Sequence, residues 1–271
     1  MSLNVSSYPD IAEAARALAR DRAARYLGGG TLLMRAVNEG DQGFSTLIRA
    51  PRGALRAVRG LGEQVEIGAG VSMAEVLEDR SLDFLHEAAR GVGGPAVRSM
   101  ATVGGNLFAP SPYGDFATAL LALDATVARV RDRGTPIELR AFLAERDREP
   151  RAIVASVTVR RPAPGTFRFA KVSRVKPKGV PVLCIAAHLP VAAGRIAGAR
   201  VAYGAMAATP VRVEAVERTL EGRTLDEAGI AAAVAAAVDG LDPPTDAIAS
   251  SWYRREVAPV HLKRLLLGRN G

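Results

Sequence analysis

The sequence predicts an α+β fold in two parts, and three observations carry that prediction. Short strand-like runs and short amphipathic runs are mixed without a regular βαβ rhythm, which favours segregated elements over a doubly wound sheet. A Pro/Gly segment, Arg161-Pro162-Ala163-Pro164-Gly165, parts two strand-like runs and marks a boundary between expected domains at 1–162 and 166–271. No internal repeat of solenoid period is present.

Taken in order, residues 10–20 read as a helix, with Ile11, Ala14, Ala15 and Leu18 on one face and Asp10 placed to cap it. A short apolar run at 24–27 meets Gly28-Gly29-Gly30-Thr31. A second helix over 32–37 stops near Gly40, and 46–48 reads as a buried strand before Pro51. Residues 65–67 form a strand entering Gly68-Ala69-Gly70. Ser72-Met73-Ala74-Glu75 has the form of a capping box for a helix through Leu77. Residues 82–89 give a helix broken by Gly91-Val92-Gly93-Gly94-Pro95. A Gly/Pro-rich loop is expected over 102–114, followed by an apolar helix at 116–123. Alternation over 126–130 running into Asp132-Arg133-Gly134 predicts a hairpin. Further strands are expected at 153–159, 167–172, 184–189 and 199–205. Helices are expected at 213–220, 225–238 and 251–267, the last interrupted by Pro259.

Composition narrows the function classes. The 271 residues are 48% hydrophobic and 24% charged, as in a soluble globular protein. The start of the chain has no basic n-region, and Asp10 and Glu13 fall where the apolar core of an export signal would run. The alanine-rich window 229–238 is far short of the ~18 apolar residues of a membrane span, so a cytoplasmic location is expected. Cys184 is the single cysteine, which precludes an internal disulfide and cannot supply the four ligands of an iron–sulfur cluster. His86, His188 and His261 are scattered, and no metal-ligand spacing is present. The formal charge of +8 raises the question of nucleic acid. However, arginines and acids interleave, aromatics are only 5%, and no basic run alternates with stacking residues. An acidic partner subunit or an anionic cofactor accounts for the charge equally well.

Two glycine-rich segments more than seventy residues apart are the informative feature: Leu27-Gly28-Gly29-Gly30-Thr31-Leu32 and Thr102-Val103-Gly104-Gly105-Asn106-Leu107. A pyrophosphate needs closely spaced backbone N–H donors with no Cβ in the way, and successive glycines provide them. Neither segment is a Walker A or Rossmann fingerprint. Both are compatible with plain tight turns. Downstream, Ser111 has a hydroxyl for a phosphate or ribose. Asp115 is either an acceptor for a ribose hydroxyl or flavin N–H, or the N-cap of the next helix.

Thr102-Val103-Gly104-Gly105-Asn106-Leu107 followed by Ser111-Pro112 and Asp115, with Arg98 upstream, closely resembles the TxGGNxxxxSPxxD segment of FAD-binding subunits in the xanthine dehydrogenase and carbon monoxide dehydrogenase family of molybdenum hydroxylases. Gly28-Gly29-Gly30-Thr31 is similar to the family's first loop, Phe169-Ala170-Lys171-Val172-Ser173-Arg174 to the strand opening its C-terminal domain, and Ala208-Thr209-Pro210-Val211-Arg212 and Ser251-Trp252-Tyr253-Arg254-Arg255 to later markers. The resemblance implies a two-lobed FAD-binding domain of the vanillyl-alcohol-oxidase (PCMH) type, split near 50–55, and a small α+β C-terminal domain. It implies FAD contacts from Leu27, Gly28, Gly29, Gly30, Thr31, Leu32, Thr102, Val103, Gly104, Gly105, Asn106, Ser111 and Asp115, with Val154 and Lys171 near the isoalloxazine. It implies two partners, a large molybdopterin-binding subunit and a small [2Fe–2S] subunit. Electrons would pass from the clusters through this flavin to an acceptor. No acid or base in this chain is required, and no metal site is expected. Lys171 reads either as a charge that raises the flavin's potential or as an exposed strand lysine, and Tyr113 either as a flavin shield or as a loop aromatic. The sequence departs from the family at Leu32, at Phe108 and Pro110, and across 175–181, which lacks the usual second arginine and aspartate. A self-sufficient flavin oxidoreductase and a non-enzymatic binding protein are the rival readings.

Overall fold

A computed structural model describes residues 3–132, 135–148, 151–175 and 179–269. Strands Asn4–Ser7, Ala24–Tyr26 and Thr46–Arg49 form a parallel sheet with Thr46–Arg49 in the middle. Helices Ile11–Arg20 and Leu33–Asn38 connect them, so the first lobe is a small βαβαβ unit. The expectation of no βαβ rhythm fails here, because Asn4-Val5-Ser6-Ser7 carries too little apolar pattern to announce an edge strand. Asp10 accepts from Glu13 N at 2.8 Å, and Ala14, Ala15 and Leu18 pack on Ala24 and Ile48.

Past the turn Arg52–Leu55 comes a five-stranded antiparallel sheet, ordered Val58–Leu61, Gln64–Gly68, Val154–Arg160, Thr126–Arg129, Pro136–Glu138. The last two strands are the predicted hairpin, although Arg133 and Gly134 of its turn lie outside the described residues. The Ser72–Glu75 capping box is present in both directions: Glu75 N donates to Ser72 Oγ (3.2 Å) and Ser72 N to Glu75 Oε2 (2.8 Å). Helix Asp115–Ala122 is buried along its whole length, six of its eight residues being apolar. It shares a core with Val65, Ile67, Val127 and Val157 of this sheet.

On its other side the same helix meets a second antiparallel sheet, ordered Val211–Arg212, Arg200–Gly204, Pro181–His188, Phe167–Ser173. Helices Glu214–Leu220, Ala231–Ala235 and Ser251–Leu266 cover the far face of that sheet. Asp124, at φ 48, ties the two halves: its carboxylate accepts from Arg200 Nε (2.8 Å) and from Arg212.

Four expectations are corrected. Residues 80–91 are a 3-10 turn, Arg80–Leu85, and a separate helix, His86–Gly91, with Leu82 off helical geometry. Val103–Leu107 is helical, not loop, because Thr102 caps it through Gly105 N (3.1 Å). Only Ala231–Ala235 of the long helix expected at 225–238 forms: the Asp226 carboxylate takes Gly229 N (2.8 Å) into a local turn that competes with helix. Pro259 does not interrupt Ser251–Leu266: the one helical bond it cannot make is to the carbonyl of Arg255, an exposed residue.

Candidate functional site

The two glycine segments meet. Leu27 N donates to Ile48 O (2.7 Å), extending the parallel strand to the edge of the first loop. Gly30 then turns the chain at φ 74, a conformation that excludes most side chains. A Cβ on Gly29 would overlap the Met100 carbonyl oxygen, and one on Gly28 would lie 3.4 Å from Thr102 Oγ1. Residues 28–29 therefore rest on the backbone that leads into the second segment.

The two segments differ in what they leave free. Among the described residues, the N–H groups of 28–33 donate to no acceptor in the chain, so one short stretch presents a run of open donors. The following helix has only six residues, so these N–H groups rather than its dipole make the loop attractive to an anion. In the second segment the donors are engaged: Val103 N to Val71 O (2.8 Å), Gly104 N to Ala69 O (2.8 Å), Gly105 N to Thr102 Oγ1 and Asn106 N to Thr102 O (3.0 Å). Gly104 is small because a Cβ would come within 2.7 Å of Ala69 Cβ. Asn106 Oδ1 accepts from Ala117 N (3.0 Å), which fixes the buried helix against this segment.

Between the lobes and the C-terminal sheet lies a cleft of about 840 Å³, of the size that takes small molecules. All of residues 27–32 line it, as do Thr102, Gly104, Gly105, Asn106, Asp115, Val154 and Lys171. Val103 does not. Its side chain is fully buried in the core. Ser111 also stays behind the wall, its Oγ enclosed without a hydrogen-bond partner. Sequence reasoning missed Tyr26, Arg35, Arg56, Ser72 and the Val180-Pro181 edge, all of which line the cleft. None carries a local signal, since only the packing of lobes and sheets turns them inward. Lys176, Pro177 and Lys178 of the unusual 175–181 segment lie outside the described residues.

Lys171 and Asp115 form the charged end of the cleft. Nζ donates to Asp115 Oδ2 (2.8 Å) and to Gly91 O (2.6 Å), and the two side chains are 11% and 6% exposed. This corrects both simpler readings. Lys171 is not an exposed strand lysine. Asp115 is not an N-cap, because Gly114 holds the cap position at φ 111 and delivers Asp115 as the first helical residue. Burial pushes the Asp115 carboxyl above its usual range, with Lys171 opposing. Oδ1 is buried without a hydrogen-bond partner. Cys184 lies beneath, 3.5 Å from Thr118 Oγ1, and burial pushes its thiol well up, so it stays protonated. Among the described residues no cluster of His, Cys, Asp and Glu could hold a metal ion, and no helix is long and apolar enough to cross a membrane.

An elongated cleft with open N–H groups along one wall, a glycine-lined floor and a buried polar pair at another wall suits a ligand that joins a diphosphate to a polar ring. Comparisons agree. Residues 2–162 match the family described as the FAD binding domain in molybdopterin dehydrogenase, and 168–268 the CO dehydrogenase flavoprotein C-terminal domain. The chain is 26% identical over 205 residues to the glyceraldehyde dehydrogenase medium chain of Sulfolobus acidocaldarius, covering 72% of each. It is 28% identical over 257 residues to the 6-hydroxypseudooxynicotine dehydrogenase complex subunit alpha of Paenarthrobacter nicotinovorans, covering 90% of this chain and 86% of that one. A solved chain of carbon monoxide dehydrogenase from Hydrogenophaga pseudoflava has the same fold, with a TM-score of 0.91 and 23% identity over 100% of this chain and 99% of that one. This chain belongs to the FAD-binding flavoprotein family of the molybdopterin dehydrogenases, as an FAD-dependent oxidoreductase subunit that passes electrons toward an acceptor.

Proposed function

We propose that this chain is the flavin subunit of a molybdenum hydroxylase or dehydrogenase assembly, receiving electrons from [2Fe–2S] clusters of a small partner subunit. A large molybdopterin-binding subunit would oxidise the substrate. The observation that carries the reading is the single cleft that runs from the open N–H groups of 28–33 to the Lys171–Asp115 pair. The family match supports it.

The residues present fit the cofactor. Gly28, Gly29, Gly30, Thr31 and Leu32 would hold the diphosphate with backbone N–H groups, and Leu27 anchors that loop to the first sheet. Thr102, Gly105 and Asn106 would form the floor, with Val103, Gly104 and Ser111 supporting it from behind. Val154 would supply an apolar wall. Asp115 would accept a hydrogen bond and Lys171 would place positive charge beside the ring system. FAD, when bound, supplies the redox chemistry. The chain's own part is to orient it, keep water from one face and set the local charge. Asp41, Asp147, Tyr26 and Tyr113 also line the cleft, and Asp115 is the carboxylate there that is paired with Lys171.

Expression of the chain alone, followed by its absorption spectrum, cofactor release and metal analysis, tests the assignment. FAD without iron supports it, and co-purification with a molybdopterin subunit and a cluster subunit would establish the partners. A folded chain that takes up no added FAD would overturn it.

A further inference from the structure

Arg35 and Tyr113 are 78 residues apart in sequence, both line the cleft, and they touch each other. Arg35 Nη1 donates to the Tyr113 hydroxyl at 2.5 Å, and its guanidinium carbon lies 5.9 Å from the centre of the tyrosine ring. Arg35 stands on the helix Leu33–Asn38, directly after the open N–H loop, while Tyr113 is two residues before Asp115. The Arg35 side chain is 55% exposed, so the contact lies at the surface of the cleft and not in its depth. Glu39, one turn on, accepts from Arg35 Nε at 2.7 Å and holds the guanidinium in place.

We infer that Arg35 and Tyr113 form a clasp across the mouth of the cleft that retains FAD. The inference rests on the reading of the cleft as the FAD site. One half of the clasp is fixed to the loop assigned to the diphosphate and the other to the segment that delivers Asp115. Closing it ties the two walls of the site together through a charged hydrogen bond and a cation–π contact. A cofactor that leaves must first part this pair, so the clasp acts on the rate of release and uptake more than on the fold. Neither residue belongs to a buried core.

The test is FAD release from the loaded full-length chain, followed by the recovery of free FAD fluorescence on dilution, for wild type, Arg35→Met, Tyr113→Phe and the double variant. Each single variant should release FAD roughly tenfold faster. The double variant should be no faster than the quicker single, because the two side chains act as one unit. Thermal midpoints of the apo forms should be unchanged, which separates retention from stability. Unchanged release rates, or effects that multiply in the double variant, would overturn the clasp alone. A folded wild-type chain that never loads FAD would overturn the cofactor reading and the clasp with it.

Discussion

Lys171 Nζ lies 2.8 Å from Asp115 Oδ2, and the pair joins two halves of the chain: the lysine comes from the first strand of the C-terminal sheet, the aspartate from the first turn of the central buried helix. An ion pair this enclosed is costly to break on one side only. Lys171→Met leaves a carboxyl whose charged form burial already disfavours, so the apo chain should lose about 3–5 kcal/mol. Lys171→Met combined with Asp115→Leu should recover most of that loss, because no charge is then left unpaired. Urea unfolding of the three variants checks this, and additive losses would refute the coupling.

Gly29 is fixed by contact with the Met100 carbonyl, not by its dihedral angles. Gly29→Ala forces the first loop off the second segment at a cost of about 1–3 kcal/mol, and FAD occupancy should fall with it. Gly53, whose added Cβ would meet nothing within 4 Å, is the control. Its alanine variant should stay within about 0.5 kcal/mol of wild type and keep full occupancy. The ratio of visible to protein absorbance after purification reads both.

Arg254 is among the largest fully buried side chains of the described residues, a strut between the long C-terminal helix and the second sheet. Its Nη2 donates to both Asp246 oxygens (3.0 and 2.9 Å), Nε to Val182 O (3.0 Å) and Nη1 to Ala249 O (2.9 Å) and Pro244 O. Arg254→Ala should cost about 3–5 kcal/mol. Burial works to raise the Asp246 carboxyl, but the N–H groups of Ala249 and Ile248 together with Arg254 hold it below the usual range. The native carboxylate thus binds a proton more weakly than the unfolded one. Its contribution is complete above the unfolded value of about 3.9 and is lost as pH falls through the lower native value. Asp246→Asn should flatten the acid limb of a stability profile below about pH 5, where the carboxylate begins to take up a proton in the unfolded chain. An unchanged slope would show that Asp246 does not set it.

Asp124 binds Arg200 and Arg212 of the C-terminal sheet, but its side chain is 55% exposed. Asp124→Asn keeps a residue that tolerates the left-handed backbone and removes only the charge. Stability should fall by less than about 1 kcal/mol, and the difference from wild type should shrink in high salt. A loss that persists in high salt would mean that packing, not charge, joins the halves at this point.

The sequence revealed what is locally encoded. Ser72 and Glu75 announce their capping box because both partners lie within one turn, and Asp10 caps its helix for the same reason. The site was legible as two glycine segments, because closely packed backbone has to be written in glycine. What distinguishes them was not legible: the donors of 103–106 are engaged by Ala69, Val71 and Thr102, whereas those of 28–33 stay open, and only the folded lobes decide this. Lys171 and Asp115 were separately visible, but their pairing depends on a sheet folding over a helix more than fifty residues away. The short helix Val103–Leu107 was hidden because glycine is a poor helix former, and its support comes from Thr102 and the neighbouring strand end.

The wall formed by Lys171, Gly179, Val180 and Pro181 has a consequence for biogenesis. During synthesis the first glycine loop leaves the ribosome early, yet it faces an incomplete cavity until the chain has grown past residue 181. Loading of a cofactor into the finished cleft would therefore follow docking of the second sheet, and a fragment ending at residue 162 would carry both glycine segments without the Lys171 wall.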